Sequence, residues 1–302
     1  MKQKTMQRVI CIILAVLMLL GVISSVLYVW AAEIPEKVAP AEGVSIASNS
    51  KASVDYSNLS EGYISVKYTG GKDVKIKAQV IRENGTTYTY NLNNKGVSET
   101  FPLVEGDGRY TVKVFENTTG TKYAQAFSYT LDLKLRNEFL PFLYPNQYVN
   151  FNDSSAVVIK AAELTAGLTA DADKLSAIYY FVINNFTYDT EKAKTVQSGY
   201  LPVVDDILTA KKGICFDYAA VMSAMLRSQD IPCKLVIGYA GTVYHAWINV
   251  YLQDKGWVEK AVYFDGEHWS LMDPTFASSA KSSPEIMKYI SNSSNYTQKY
   301  AY

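Results

Sequence analysis

Apolar and polar positions alternate through short stretches between about Ser53 and Leu135. Val74, Ile76, Ala78 and Val80 alternate with Lys75, Lys77 and Gln79, the period-two pattern of a half-buried strand. Ile64, Val66 and Tyr68 predict a second strand and Tyr110, Val112 and Val114 a third. Phe127, Tyr129, Leu131, Leu133 and Leu135 predict a long last one. Asn84-Gly85 and Asp107-Gly108 supply turn residues that tolerate positive φ. Several short strands at this spacing predict a β-sandwich of immunoglobulin-like character over 53–135. Tyr88 and Tyr90 are read as exposed on it, either as a glycan- or protein-binding face or, preferably, as cross-strand pairs that stabilise the sheet.

Beyond a connector at 136–154 the period lengthens. Leu175, Ile178, Tyr179, Val182 and Phe186 lie at helical spacing, with Asp173 as the expected cap. Asp205-Asp206 start a short helix that stops near Gly213. Cys215, Tyr218, Ala219, Met222, Met225 and Leu226 then mark one face of a helix that begins at Cys215. Leu235 to Gly241 and Tyr244 to Tyr251 read as strands, the second with His245, Trp247, Asn249 and Tyr251 on one face. Gly256 to Tyr263 and His268 to Asp273 read as two more, joined at Asp265-Gly266. The Ser-, Asn- and Tyr-rich tail, 286–302, is expected to be a peripheral extension.

The N-terminus breaks both periods. Lys2, Lys4 and Arg8 precede 24 uncharged residues, Val9 to Ala32. That run is long enough to span a bilayer and ends in a small-residue pattern suited to signal-peptidase cleavage. Residues 1–32 are therefore read as a signal peptide or membrane anchor that places the rest of the chain outside the cell. An Ala-, Pro-, Glu- and Ser-rich linker, 33–52, follows.

Composition narrows the function. Of 302 residues, 48% are hydrophobic and 19% charged, which excludes disorder throughout. Lys+Arg and Asp+Glu are both 29, and this balance argues against a nucleic-acid binder. Three cysteines exclude a disulfide scaffold.

With two histidines, any His-based catalysis is easy to trace. A cysteine at a helix start gains from the positive end of the helix dipole, which favours thiolate. A histidine takes its proton, and an acidic side chain fixes the imidazole tautomer. Cys215, His245 and Asp273 occur in that order as nucleophile, base and orienting carboxylate. Trp247 is expected to wall the histidine, Asp217 to cap the helix, and Cys233 to be a buried core residue, although a Cys215–Cys233 disulfide is conceivable outside the cell. Zinc on Cys215, Cys233, His245 and His268 is disfavoured by the lack of short ligand pairs, and no cofactor is expected.

The run Gly213-Ile214-Cys215-Phe216-Asp217-Tyr218-Ala219 resembles the cysteine motif of the transglutaminase-like superfamily. Met225-Leu226-Arg227, Ile231-Pro232, Gly238-Tyr239, His245-Ala246-Trp247 and Asp273-Pro274-Thr275 continue the resemblance in order, and Tyr188-Asp189 fits upstream. It covers about 155–280 of a domain read as 155–285. The resemblance implies an α+β, papain-like core with the cysteine helix packed on an antiparallel sheet, of a bacterial, extracellular kind. It also implies acyl transfer through a thioester on a protein or peptide amide, by hydrolysis, proteolysis or cross-linking. The 28 positions between His245 and Asp273 exceed the spacing in compact members, so Asp265 is a rival third residue. The upstream tryptophan that steadies the oxyanion in animal transglutaminases is absent, since no Trp lies between Trp30 and Trp247. The Cys215 backbone N–H is one oxyanion donor, and Tyr188, Gln197 and Tyr200 are candidates for the second. The rival reading is a cell-surface adhesion or scaffold protein whose β module binds wall or matrix and whose catalytically silent papain-like domain binds a partner.

Overall fold

The computed structural model describes residues 42–259, 262–264, 269–271, 275 and 295–302. The expected N-terminal hydrophobic helix, Asp265, His268 and Asp273 lie outside them. Among the described residues no helix is long and apolar enough to cross a membrane.

The N-terminal strands are β1 (Ile46–Ser48), β2 (Ala52–Asp55), β3 (Tyr63–Tyr68), β4 (Ile76–Arg82), β5 (Thr87–Leu92), β6 (Glu99–Pro102), β7 (Gly108–Thr119) and β8 (Lys122–Leu133). They make two antiparallel four-stranded sheets, ordered β1-β2-β3-β6 and β5-β4-β7-β8. Alternation builds the core: Ile76, Ala78 and Val80 are buried while Lys77 and Gln79 between them stay half-open. Ala52, Val54, Ile64 and Val66 of the other sheet share that core with Val112 and Val114. Asn84 adopts φ 57° in the β4–β5 hairpin, the conformation its turn requires.

Tyr88 and Tyr90 depart from expectation. They are 7% and 1% exposed and face inward. Tyr90 packs on Phe101 at 4.4 Å between ring centroids, and Tyr88 meets Tyr300 at 5.6 Å and Tyr302 at 5.5 Å. Strand β5 buries every second residue, so both rings go to the side covered by the chain's closing segment.

One buried carboxylate organises the far side of this module. Lys72 and Lys51 reach Glu116 Oε2 at 2.7 and 2.9 Å, and the Tyr68 hydroxyl donates to Oε1 at 2.7 Å. Lys72, with Lys51 and Tyr68 behind it, outweighs burial and holds the Glu116 carboxyl down at about 2. A depressed carboxyl pKa stabilises the fold above the ordinary value of 4.5, and that stability is lost as pH falls through about 2. Denaturant melts from neutral pH downward are expected to lose stability over that window, and Glu116→Gln to flatten the loss. Equal acid slopes in the two proteins would remove Glu116 from the response.

The second half contains helices α1 (Ala156–Thr165), α2 (Asp171–Asn185), α3 (Thr190–Thr195), α4 (Val204–Ala210) and α5 (Cys215–Ser228). Its strands are β9 (Thr187–Tyr188), β10 (Lys212–Gly213), β11 (Cys233–Ala240), β12 (Val243–Leu252), β13 (Gly256–Val258), β14 (Val262–Phe264), β15 (Trp269–Leu271) and β16 (Tyr296–Ala301). Leu175, Ile178, Tyr179 and Val182 are buried on α2 as their spacing requires. Its N-cap is Ala170 rather than Asp173; Asp171 and Asp173 sit in the first turn, where they complement the helix dipole. Asp205 accepts a hydrogen bond from the Val157 N–H at 3.0 Å and ties the start of α4 to α1.

Strands β13-β12-β11-β16 form an antiparallel sheet against α5, and the strand expected from Gly256 to Tyr263 is instead two, β13 on β12 and β14 paired antiparallel with β15. The closing residues are therefore not peripheral, because β16 pairs with β11 along the edge of the central sheet. Arg227 locks that edge from below: its guanidinium donates to the carbonyls of Cys233, Tyr144 and Tyr302.

Candidate active site

Local chemistry explains why α5 starts at Cys215. The first N–H groups of a helix lack intrahelical partners. Asp217 turns back over them, and its Oδ2 accepts from the Ile214 N–H at 2.9 Å. That carboxylate lies against Gly213, where a Cβ would stand 2.6 Å from Asp217 Cβ and 2.8 Å from Oδ2. Glycine at 213 and aspartate at 217 are thus one device, and Asp217 caps as expected.

Asp217 is fully buried and has two further partners. Lys192 Nζ donates to Oδ2 at 2.6 Å, and the Tyr200 hydroxyl donates to Oδ1 at 2.6 Å. Lys192 also donates to the Tyr200 hydroxyl at 2.6 Å. Tyr200, an oxyanion candidate, is therefore committed to the cap of α5. Gln197 is exposed, and its amide donates to the Thr195 carbonyl at 2.8 Å. Tyr188 pairs with Gly213 across the parallel β9–β10 bridge and packs half-buried against the core. Lys192 escaped the sequence reading. Its only sequence signal is its place in the turn after Tyr188-Asp189.

Both described cysteines are free thiols, so Cys215 and Cys233 form no disulfide. Cys215 is half-buried at the head of α5. Cys233 is buried, with Sγ 3.4 Å from Ser223 Oγ, and burial pushes its thiol up to about 11. Cys233 is thus an inert core residue at neutral pH.

Strand register fixes the direction of each β12 side chain. The Cys233–Ser223 contact turns the Cys233, Leu235, Ile237 face toward α5. Val250, Ile248 and Ala246 pair opposite those residues and share that face. Tyr239 and Tyr244 continue it toward the start of α5, their rings 5.5 Å apart. Tyr244 is 57% exposed, and its phenol is raised first by the buried part of the ring, then by Tyr300, Tyr239 and Cys215.

His245, opposite Gly238, stands on the other face with Trp247. The two rings stack at 6.2 Å with an interplanar angle of 26°, and Tyr296 lies 6.4 Å from the imidazole. Trp247 thus stands beside the histidine on this face. A Cβ at Gly238 would strike the Thr297 carbonyl and the Trp247 ring, so only glycine lets β16 and the tryptophan close over this face. His245 is 5% exposed. Among the described residues no cluster of three or more His, Cys, Asp or Glu side chains gathers to hold a metal.

Residues 160–261 match the transglutaminase-like superfamily. The chain is 29% identical over 148 residues to the uncharacterized protein YebA of Bacillus subtilis, an alignment covering 42% of this chain and 20% of that one. The chain therefore spans about one fifth of the length of YebA. Among solved structures it is similar to a candidate cysteine protease from Cytophaga hutchinsonii, at 19% identity and TM-score 0.35, over 68% of this chain and 67% of the other. It is also similar to red sea bream transglutaminase, at 14% identity and TM-score 0.27, over 70% and 48%. Residues 160–261, the part of the chain similar to the transglutaminase-like superfamily, carry the cysteine helix and the histidine strand.

Proposed function

We propose that this chain is an extracellular cysteine enzyme that transfers acyl groups from protein or peptide amides through a thioester. The observation that carries the reading is the free, half-buried thiol of Cys215 as the first residue of a 14-residue helix, where the dipole favours thiolate. In this reading Cys215 Sγ attacks the amide carbonyl carbon, and the C–N bond breaks. His245 gives its proton to the departing amine, leaving an acyl-thioester. Water or a second amine then attacks the thioester and passes its proton to His245, which regenerates the thiolate–imidazolium pair. Asp273 orients the imidazole, and the Cys215 N–H receives charge on the carbonyl oxygen. Whether water or an amine arrives second decides between hydrolysis and cross-linking. The 9–32 segment exports or anchors the enzyme, and the β module, read as immunoglobulin-like, holds it at its substrate surface.

The scaffold reading draws on one observation. His245 points to the Trp247 and Tyr296 side of the sheet, while α5 packs on the opposite side. Catalysis needs the imidazole within about 3 Å of the sulfur, and the β11–β12 hairpin, two residues before His245, has to supply that approach.

Acyl capture tests the choice. The full chain is incubated with peptide amides, quenched in acid and analysed by intact mass. An acyl adduct on the wild type that is absent from Cys215→Ala is the expected result. No adduct from any amide, together with an unreactive Cys215, would leave the scaffold reading standing.

A further inference from the structure

Three elements converge on the Asp217 carboxylate in the first turn of α5: the helix start at Ile214, Lys192 of α3 and Tyr200 of the loop after it. Asp217 is fully buried in the first turn of α5, two residues after Cys215, so its ion pair with Lys192 puts a carboxylate at the helix end where a sulfur has to become an anion. An uncompensated carboxylate there would oppose thiolate formation and cancel the gain from the helix dipole. A cap without charge would avoid this conflict. This chain keeps the charge and brings a cation to it.

Lys192, from α3, places Nζ 2.6 Å from Asp217 Oδ2 and 2.6 Å from the Tyr200 hydroxyl. The same ammonium lies 4.1 Å from the centre of the Tyr200 ring. α3 itself is fixed at its head, where Asp189 Oδ1 accepts from the Lys192 backbone N–H at 3.0 Å. The Lys192 side chain is 27% exposed, so the pair is largely shielded from solvent, which strengthens the interaction relative to a surface pair.

We propose that Lys192 is a positioning residue for Cys215, acting through Asp217: it neutralises the capping carboxylate so that the helix N-terminus favours the thiolate. This rests on the reading of Cys215 as the nucleophile. The other titratable groups around this end of α5 are Tyr200 from the loop after α3, Asp206 from α4 and Lys212 from β10. Across from them stand Tyr239 of β11, Tyr300 of β16 and Tyr244 of β12, with His245 on that strand's far face. Among the described residues Lys192 is the cation in contact with Asp217.

The experiment measures alkylation of Cys215 by iodoacetamide across pH in the full chain, read on the Cys215 peptide so that Cys11 and Cys233 do not interfere. Lys192→Met is expected to raise the midpoint by up to about one pH unit, because Asp217 at the helix start then keeps its charge without its cation. Lys192→Gln keeps a donor for Asp217 but no charge, and is expected to shift the midpoint by the same amount. It also carries the test if Lys192→Met does not fold. Lys192→Arg is expected to stay near the wild type. If either neutral variant melts at a lower temperature but keeps the wild-type midpoint, Lys192 is only a strut and the proposal is overturned. The two readings fail separately. The shift between variants and wild type reports on Lys192. The acyl adduct and the wild-type midpoint itself report on Cys215 as a nucleophile.

Discussion

Arg227→Met is expected to destabilise the protein by roughly 3–5 kcal/mol, the cost of removing one partner from a buried charged network. The guanidinium is fully buried, and burial pulls its pKa down only to about 10, so it remains charged at neutral pH. Among the described residues it donates to main-chain oxygens. Nε and Nη2 donate to Cys233 O at 3.0 and 2.8 Å, Nη1 to Tyr144 O at 2.8 Å, and Nη2 to Tyr302 O at 2.7 Å. One side chain thus ties the end of α5 to the connector, to the first residue of β11 and to the residue after β16. Methionine fills comparable length but leaves three carbonyls without these donors, each costing about 1–3 kcal/mol if water cannot reach it. Relief of the charge's own burial cost offsets part of that sum. Lysine restores one donor group but not the planar fork, so Arg227→Lys is expected to recover only part of the loss. Urea titration with an unchanged m-value is the measurement. A loss below about 1 kcal/mol in Arg227→Met would mean that water replaces the guanidinium and that β16 is not held through it.

The same residues show what a sequence can and cannot carry. Period-two alternation located β3, β4, β7 and β8, because one face of each strand is buried and the other is not. The spacing of Cys215, Tyr218, Ala219 and Met222 located α5, whose start is also fixed by a local contact, Asp217 back to Ile214. β16 left no such mark. Its Tyr-Thr-Gln-Lys-Tyr-Ala run is polar in the middle, because an edge strand is only partly covered, and its partner β11 lies more than fifty residues earlier. Tyr88 and Tyr90 looked like surface residues because the segment that covers them, Tyr300 to Tyr302, was itself read as peripheral. One missed pairing therefore produced two errors. Lys192 and Tyr200 were invisible as partners of Asp217 for a similar reason. Their connection is made by folding of three separate segments, and neither residue belongs to a motif. The direction of His245 was legible, since alternation alone puts it with Trp247. Which sheet face α5 would cover was not.

His245→Ala is expected to slow alkylation of Cys215 at pH 7 by about 30-fold, because a cysteine at its ordinary pKa of ~8.5 is only a few per cent thiolate there, whereas one paired with imidazolium is almost fully ionised. Acyl transfer is expected to fall further, by about 10²–10⁴-fold, since the leaving amine also loses its proton donor. The pH profile identifies the mechanism. In the wild type the midpoint of thiol reactivity is expected well below ~8.5, and in His245→Ala close to it. The geometry makes this a demanding test. The imidazole is buried beside Trp247 and Tyr296, on the face of β12 turned from α5, while Tyr244 occupies the side nearer Cys215. For the expected result to hold, the β11–β12 hairpin has to let the ring reach the sulfur. Gly241, at φ 61° in that turn, is a residue able to absorb such a change. If Cys215 reacts at the same rate and with the same midpoint in both proteins, the thiol and the imidazole are not electrically coupled. The cluster of His245, Trp247 and Tyr296 is then a structural layer of the sheet, and the domain works by binding rather than by chemistry.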